Sequence, residues 1–246
     1  MISAFVSEVG AVALFTGRTA LRIPAALRRP GQILAACYEI GVGSLPTVLF
    51  VAVFVGTELA LQGFHVFKEF GAQNMVGVFV ALAGVREMAP ILVTGMIAAK
   101  AGSSITTSLA VMRNTEQIDA LEVMAVDPVE HLIAPRFLGA VLAVPALTSI
   151  ANFVTLASAY LVAVHQLGVE PAFFIGNIVD YLEPYDLGIG MLKAVAMGVV
   201  IWVLSCYFGF SAAPGPEGVG RAANQAIVSE VVVAVLVTLL ITSLAY

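Results

Sequence analysis

The sequence consists mainly of long apolar stretches that are separated by short polar segments. A membrane-spanning helix needs about 20 consecutive residues that are mostly apolar. Five stretches reach that length, at positions 40–62, 74–111, 137–164, 188–210 and 222–246. The second is too long for one straight crossing, so we expect a kink near Pro90 and an end that extends into water. The pattern predicts five membrane spans.

Residues 1–31 show a different pattern, because their arginines follow the first apolar run. A cleavable signal peptide has its basic residues in front of that run, so this segment is not expected to be one. We predict an amphipathic helix that lies on the membrane surface with its basic side chains toward lipid headgroups. Pro24 and Pro30 would bend or end it. Its basic residues are Arg18, Arg22, Arg28 and Arg29.

Composition supports a membrane protein. Of the 246 residues, 60% are hydrophobic and only 11% are charged, and the mean hydropathy is +1.01. Soluble domains carry about 25% charged residues, so this chain could not cover a water-facing surface. The predicted fold class is an all-α integral membrane protein, one domain over 1–246, with an interfacial helix and five transmembrane helices. The net charge of −5 and the pI near 5.1 argue against nucleic acid as a partner.

Lysine and arginine positions orient the predicted spans, because cytoplasmic loops carry an excess of basic residues. With the N-terminus in the cytoplasm, the opposite side holds only Lys68 and Lys193. We therefore expect a cytoplasmic N-terminus and a C-terminus on the outer side of the membrane. The arginines on the cytoplasmic side would be Arg18, Arg22, Arg28, Arg29, Arg113, Arg136 and Arg221.

Motifs for enzyme chemistry are missing from the sequence. A phosphate-binding loop requires Gly-Lys-Ser/Thr, whereas Phe67, Ala99 and Leu192 precede the three lysines. The histidines match no metal motif, and Cys37 and Cys206 lack metal-ligand spacing, which favours reduced thiols. We predict no catalytic residue, no metal site and no bound cofactor in this chain.

A compact and mostly acidic segment, 113–131, lies between the second and third predicted spans. Its spacing places Glu116, Asp119 and Glu122 along one flank of a helix, and Asn114 would cap the start of that helix. The helix is too short and too charged to span a membrane. Its other side carries Ile118, Leu121, Met124 and Ala125.

A second helix start is predicted directly after it, with a break at Val126-Asp127. Asp127 would cap the new helix, Pro128 suits its first position, and Glu130 would complete a capping-box-like pair. A plain solvated loop is the alternative. Lipids would repel this acidic segment, because the cytoplasmic membrane surface is negative, whereas a protein groove with basic residues would fit both of its sides. We therefore interpret 113–131 as a docking segment.

Ionisable residues also occur inside the predicted spans, where they cost about 2.5–3.5 kcal/mol on insertion scales. Arg86 and Glu87 lie about 18 Å along the second span and need not pair with each other. Glu58, in the first span, is the predicted partner of Arg86. These charges would either meet lipid headgroups in a cavity or hold the bundle together. Lys100 would snorkel toward the cytoplasm, and Glu230 is expected to have a structural role.

The stretch from Arg86 to Arg136 resembles the permease subunits of MlaE/YrbE-type lipid ABC transporters, which work with MCE-domain proteins. The matching motifs are R-E-M-A-P at 86–90, M-R-N-T-E-Q-I-D-A-L-E-V-M at 112–124, V-D-P at 126–128 and P-R at 135–136. Weaker similarity extends over nearly the whole chain. Lys100 stands where the family usually has arginine, and Ser108 where many relatives have glutamate.

The resemblance implies a half-transporter permease in the bacterial inner membrane, paired with an identical or related permease. Two cytoplasmic ATPase subunits would bind ATP and Mg²⁺, and an outer MCE-domain protein would exchange lipid, with phospholipid the expected substrate. Glu58, Arg86, Glu87 and Lys100 would line the lipid cavity or form a charge network. Segment 113–131 would be the coupling helix region, and its candidate contacts with the ATPase are Arg113, Glu116, Gln117, Asp119, Leu121, Glu122, Met124 and Asp127.

Two other functions fit some of these features. An ion-coupled secondary transporter would use the buried carboxylates, but such proteins have repeated halves, and five spans do not divide evenly. A membrane scaffold that recruits a cytoplasmic enzyme would explain the acidic segment but not Arg86 and Glu87 at membrane depth.

Overall fold

A computed structural model describes residues 2–246, with side chains from residue 10 onward. Within this range the chain forms helices and no strand, which confirms the predicted all-α fold class. The helices are α1 (Ile2–Ala26), α2 (Pro30–Glu69), α3 (Gln73–Asn114), α4 (Gln117–Val123), α5 (Val129–His165), α6 (Pro171–Tyr181), α7 (Pro184–Phe210) and α8 (Pro216–Ala245).

Five of the described helices, α2, α3, α5, α7 and α8, are long and apolar enough to span a membrane. This agrees with the number of spans that the apolar stretches predict. Several of these helices extend past the apolar stretch itself. Helix α2 begins at Pro30, where the missing N–H and fixed φ of proline suit the first helical position.

Helix α3 departs from regular α-helical geometry in two π-helical segments, Val80–Met88 and Ala98–Gly102. Such segments change the i→i−4 hydrogen bonding and are frequent at functional sites. The first contains Arg86 and Glu87, and the second contains Lys100. The ionisable side chains of the apolar part of α3 therefore lie where its backbone is irregular.

Two compact units divide the chain, and residues 2–44, 97–143 and 197–234 belong to the first. Trp202 lies at the centre of this unit, almost fully buried. Its indole N–H donates to the carbonyl oxygen of Ile133 at 3.1 Å, and its ring centroid lies 4.6 Å from that of Phe137. This tryptophan therefore fixes α7 against the start of α5 with both apolar area and a hydrogen bond.

The second unit comprises Leu45–Met96, Val144–Ala196 and Val235–Tyr246. An apolar cluster from α2, α3, α5 and α6 forms its core, including the fully buried Phe174. Helices α2 and α5 approach closely at Gly56, where an added Cβ atom would overlap Ser158 Oγ and the carbonyl oxygen of Thr155. Small residues allow such backbone contact between membrane helices.

We expect Gly56→Ala to separate α2 from α5, because the new methyl group would overlap backbone atoms that cannot rotate away. Overpacking of this kind costs about 1–3 kcal/mol. Thermal unfolding of the purified chain in detergent, followed by circular dichroism, would measure the loss. Gly176→Ala is the matched control, since nothing lies within 4 Å of its Cβ position, and equal unfolding temperatures of the two variants would contradict the prediction.

Candidate functional site

Arg86 forms an ion pair with Asp186 at the start of α7. Its Nη2 lies 2.5 Å from Asp186 Oδ1, and its Nε donates to the same oxygen at 2.8 Å. The Tyr246 hydroxyl also donates to Oδ1 at 2.6 Å, while the Tyr246 ring centroid lies 4.2 Å from the Arg86 guanidinium carbon. Asp186 is therefore bound from two sides, and Arg86 is held by both a carboxylate and an aromatic face.

Glu87 of α3 forms a second ion pair, with Lys193 of α7. The Lys193 Nζ lies 2.7 Å from Glu87 Oε1 and donates to the carbonyl oxygen of Arg86 at 2.9 Å. The Thr242 hydroxyl of α8 donates to Glu87 Oε1 at 3.0 Å. These contacts join α3, α7 and α8 within the second unit.

Each of the two ion pairs has one buried partner and one partly exposed partner. The side chains of Asp186 and Lys193 are 1% and 0% exposed, whereas those of Arg86 and Glu87 are 27% and 32% exposed. As expected from helical geometry, Arg86 and Glu87 have different partners. One positive and one negative group are thus fixed in place with part of each surface free to meet a ligand.

The predicted contact between Glu58 and Arg86 is wrong. Glu58 instead accepts a hydrogen bond from Gln62 at 2.5 Å, one turn along the same helix. Sequence reasoning also missed Asp186, Thr242 and Tyr246, and used Lys193 only to orient the spans. The sequence did contain a signal for one of these contacts: Asp186 precedes Lys193 by seven positions at the start of an apolar stretch.

Segment 113–131 folds into the short helix α4 between two left-handed backbone positions, Glu116 and Ala125, each with φ of 58°. Asn114 does not cap α4, contrary to the prediction. Its amide donates to the carbonyl oxygen of Gly215 at 3.3 Å and accepts from the Gly215 N–H at 3.1 Å. The end of α3 is therefore fixed to the loop before α8 within the first unit.

The start of α5 follows the predicted capping in part. Asp127 Oδ1 accepts a hydrogen bond from the Val129 N–H at 2.9 Å, so its capping role is confirmed. Glu130 does not complete a capping box, because it lies 3.4 Å from Arg29, which also contacts His131 Nδ1 at 2.7 Å. Arg22 pairs with Asp127 at 3.0 Å. The basic residues of the N-terminal region thus hold the start of α5.

The carboxylates of the acidic flank differ in their partners. Asp119 pairs with Arg113 at 2.9 Å. Glu116 and Glu122 are exposed and form no ion pair with any residue that the structure describes. These two carboxylates remain available to an external partner.

The apolar side of α4 also differs from the prediction. Ile118 is fully buried, but Met124 is 66% exposed and the neighbouring Val123 is 88% exposed. Because α4 ends at Val123, the chain turns and carries these two side chains outward. Leu121 is half-buried and Gln117 is exposed. A surface with free carboxylates and two exposed apolar side chains results.

A cavity of about 560 Å³ lies beside this surface in the first unit. Two arginines of α1 line it together with two carboxylates of segment 113–131, so positive and negative groups face the same space. Its lining residues are Arg18, Leu21, Arg22, Glu122, Asp127, Pro128, Val129 and Phe210.

Five long apolar helices with ion pairs inside them define a multi-pass membrane protein. The chain belongs to the MlaE permease family, because the family model Permease MlaE matches residues 33–244. The predicted family resemblance is therefore confirmed, and the chain is a permease.

Individual relatives agree with this family. A probable ABC transporter permease protein of Rickettsia prowazekii is 34% identical over 243 residues, covering 98% of this chain and 93% of the relative. The intermembrane phospholipid transport system permease protein MlaE of Haemophilus influenzae is 34% identical over 194 residues, covering 78% and 74%. The chloroplast protein Trigalactosyldiacylglycerol 1 of Arabidopsis thaliana is 30% identical over 221 residues, covering 90% and 63%.

We expect Lys193→Met to destabilise the second unit, because Glu87 would lose its cation and keep only Thr242 as partner. Breaking a fully buried ion pair on one side costs about 3–5 kcal/mol, and the partial exposure of Glu87 should make the loss smaller than that. The double variant Lys193→Met/Glu87→Gln should regain part of this loss, since no charge is left unpaired. Thermal unfolding in detergent would measure both. Glu217→Gln, in an exposed ion pair with Arg221, is the control, and a double variant no more stable than Lys193→Met would contradict the prediction.

Proposed function

We propose that this chain is the transmembrane permease subunit of an ATP-driven transporter that moves phospholipid between the inner membrane and an MCE-domain protein on its outer side. Two copies, or this chain and a related permease, would pair to form the lipid path. ATP and Mg²⁺ would bind to two separate cytoplasmic ATPase subunits. The observation that carries the proposal is the surface of segment 113–131, with free carboxylates beside exposed apolar side chains.

That surface suits a rigid contact with an ATPase. The segment is attached to the rest of the first unit by the ion pair of Asp127 with Arg22 and by the double hydrogen bond of Asn114 to Gly215. Within the segment, Arg113 pairs with Asp119. A fixed segment loses little conformational entropy when a partner binds. Movement of an ATPase pressed against it would then reach α3, which ends in the segment, and α5, which begins in it.

The charges of the second unit suit a lipid headgroup. A guanidinium group binds a phosphate through two parallel N–H donors, and the exposed part of Arg86 is free to do so while Asp186 holds it in position. Glu87 offers a negative group one residue away for an ammonium headgroup. The Haemophilus influenzae relative is named as a permease of a phospholipid transport system, and we extend that substrate class to this chain.

The charge distribution supports the membrane orientation that we propose. Arginines of α1, of segment 113–131 and of the first turns of α8 would lie in the cytoplasm, as basic residues near membrane helices generally do. In the proposed orientation, the N-terminus and residues 113–131 would lie on the ATPase side and the C-terminus on the outer side of the inner membrane.

We expect Glu116→Arg and Glu122→Arg to detach the ATPase while the permease still inserts, because reversed charges would repel a basic groove. Co-purification of the ATPase with the permease and lipid-stimulated ATP hydrolysis would measure the loss. Glu170→Arg, an exposed carboxylate outside the segment, is the matched control. If both reversed variants kept a coupled complex, the ATPase would not dock here.

We expect Arg86→Gln to lower phospholipid transfer in liposomes without releasing the ATPase, because it removes the cationic group and leaves residues 113–131 unchanged. Mass spectrometry of the lipid that co-purifies would identify the headgroup, and its amount should fall in the variant. Arg221→Gln, at an exposed ion pair, is the control. Unchanged lipid retention and transfer in Arg86→Gln would argue against a headgroup contact at this residue.

A further inference from the structure

The first unit contains a buried carboxyl group that the proposed function does not use. Glu230 of α8 is 0% exposed. The Ser205 hydroxyl of α7 donates to its Oε1 at 2.5 Å. Its Oε2 is also buried and has no hydrogen-bond partner among the residues that the structure describes. A neutral hydroxyl is thus the hydrogen-bonding partner of this carboxyl group.

Helix α3 closes the other side of the carboxyl group at Gly102. A Cβ atom at this position would overlap Glu230 Oε2 and would lie 3.1 Å from both Cδ and Oε1. One turn later, the Thr106 hydroxyl donates to the carbonyl oxygens of Gly102 and Ser205, at 3.0 and 3.1 Å. Glycine at 102 therefore provides the space for the carboxyl group, and Thr106 holds α3 and α7 together beside it.

Among the first-unit residues whose side chains the structure describes, no cation forms an ion pair with Glu230. Lys100 of α3 is exposed, Arg113 pairs with Asp119, and Arg136 of α5 is directed to the Ser108 hydroxyl at 3.4 Å. None of these forms an ion pair with Glu230 in the described part of the chain. The other ionisable side chains on the long helices of this unit are Cys37, Tyr38 and Glu39 of α2, Glu130 and His131 of α5, Cys206 and Tyr207 of α7, and Glu217 and Arg221 of α8.

Burial of an isolated carboxylate is far more costly than burial of a carboxylic acid, and such a group takes up a proton instead. We propose that Glu230, with Ser205 and Gly102, forms a proton-binding site within the membrane-spanning helices. One proton passes from water to a carboxyl oxygen, the group changes from −1 to neutral, and no other bond is made or broken. This site requires neither the proposed ATPase contact nor the proposed lipid.

Proton binding at Glu230 is linked to the conformation of the first unit. A conformation in which water reaches the carboxyl group stabilises its ionised form, so the proton leaves there and returns when the helices close. By linkage, raising the pH favours the hydrated conformation and lowering it favours the closed one. The permease thereby contains a group through which pH can shift its equilibrium.

Infrared spectroscopy of the purified full chain in lipid nanodiscs tests the proposal. The wild type minus Glu230→Gln difference spectrum at neutral pH should contain the C=O stretch of a protonated carboxylic acid. Glu217→Gln, at an exposed carboxylate, should instead remove carboxylate bands. If the Glu230→Gln difference showed carboxylate bands and no acid band, the proposal would be overturned.

A chemical probe tests the same site without depending on the folding of a variant. Dicyclohexylcarbodiimide reacts with protonated carboxyl groups in apolar surroundings, so mass spectrometry of the wild type should find the label on Glu230 at neutral pH. Raising the pH in mild detergent, which favours the ionised form, should reduce it. Absence of label at Glu230, together with label at exposed carboxylates, would contradict the proposal.

Discussion

An ionisable group inside a bundle of apolar helices has to be paired or neutral, and the contacts of the enclosed charges in both units follow from that constraint. In the second unit the constraint is met by pairing. Two cations and two anions are matched within α3 and α7, and the hydroxyl groups of Thr242 in α8 and of Tyr246 directly after it donate further hydrogen bonds. In the first unit Glu230 forms no ion pair with any described residue, and the constraint is met by the protonation that we propose.

The two pairs of the second unit are built differently, and the difference matters for a permease. Lys193 is a compact point charge that is wholly enclosed and divides its donors between Glu87 and a backbone carbonyl. Arg86 is planar, partly exposed, and lies over the Tyr246 ring, with Nε and Nη2 directed to Asp186. A planar guanidinium with more donors than its carboxylate uses can accept a second anion. Lys193 therefore fixes helices, whereas Arg86 combines a fixed position with capacity for a ligand.

Sequence patterns predicted the membrane helices well because about 20 apolar residues leave few alternatives to a span. They could not predict which charges meet. Arg86 and Asp186 are 100 residues apart, and Glu87 and Lys193 are 106 apart, so only the packing of α3 against α7 brings them together. Glu58, assigned to Arg86 from its expected depth, instead found Gln62 within its own helix. A local partner was enough for a residue that the bundle does not enclose.

Of the two helix caps predicted in segment 113–131, the one at Asp127 formed and the one at Asn114 did not, and the available hydrogen-bond partners explain both outcomes. Asp127 caps α5 because its acceptor is two residues from the N–H that needs it, whereas Asn114 meets both a donor and an acceptor at Gly215 and binds there instead. The carboxylates of the acidic flank also differ in whether a partner lies within reach. Asp119 pairs with Arg113 within the segment, which leaves Glu116 and Glu122 for the ATPase contact that we propose. Charges of this kind act over about 10 Å at moderate ionic strength, so a fixed backbone would let these two carboxylates specify where the proposed partner binds.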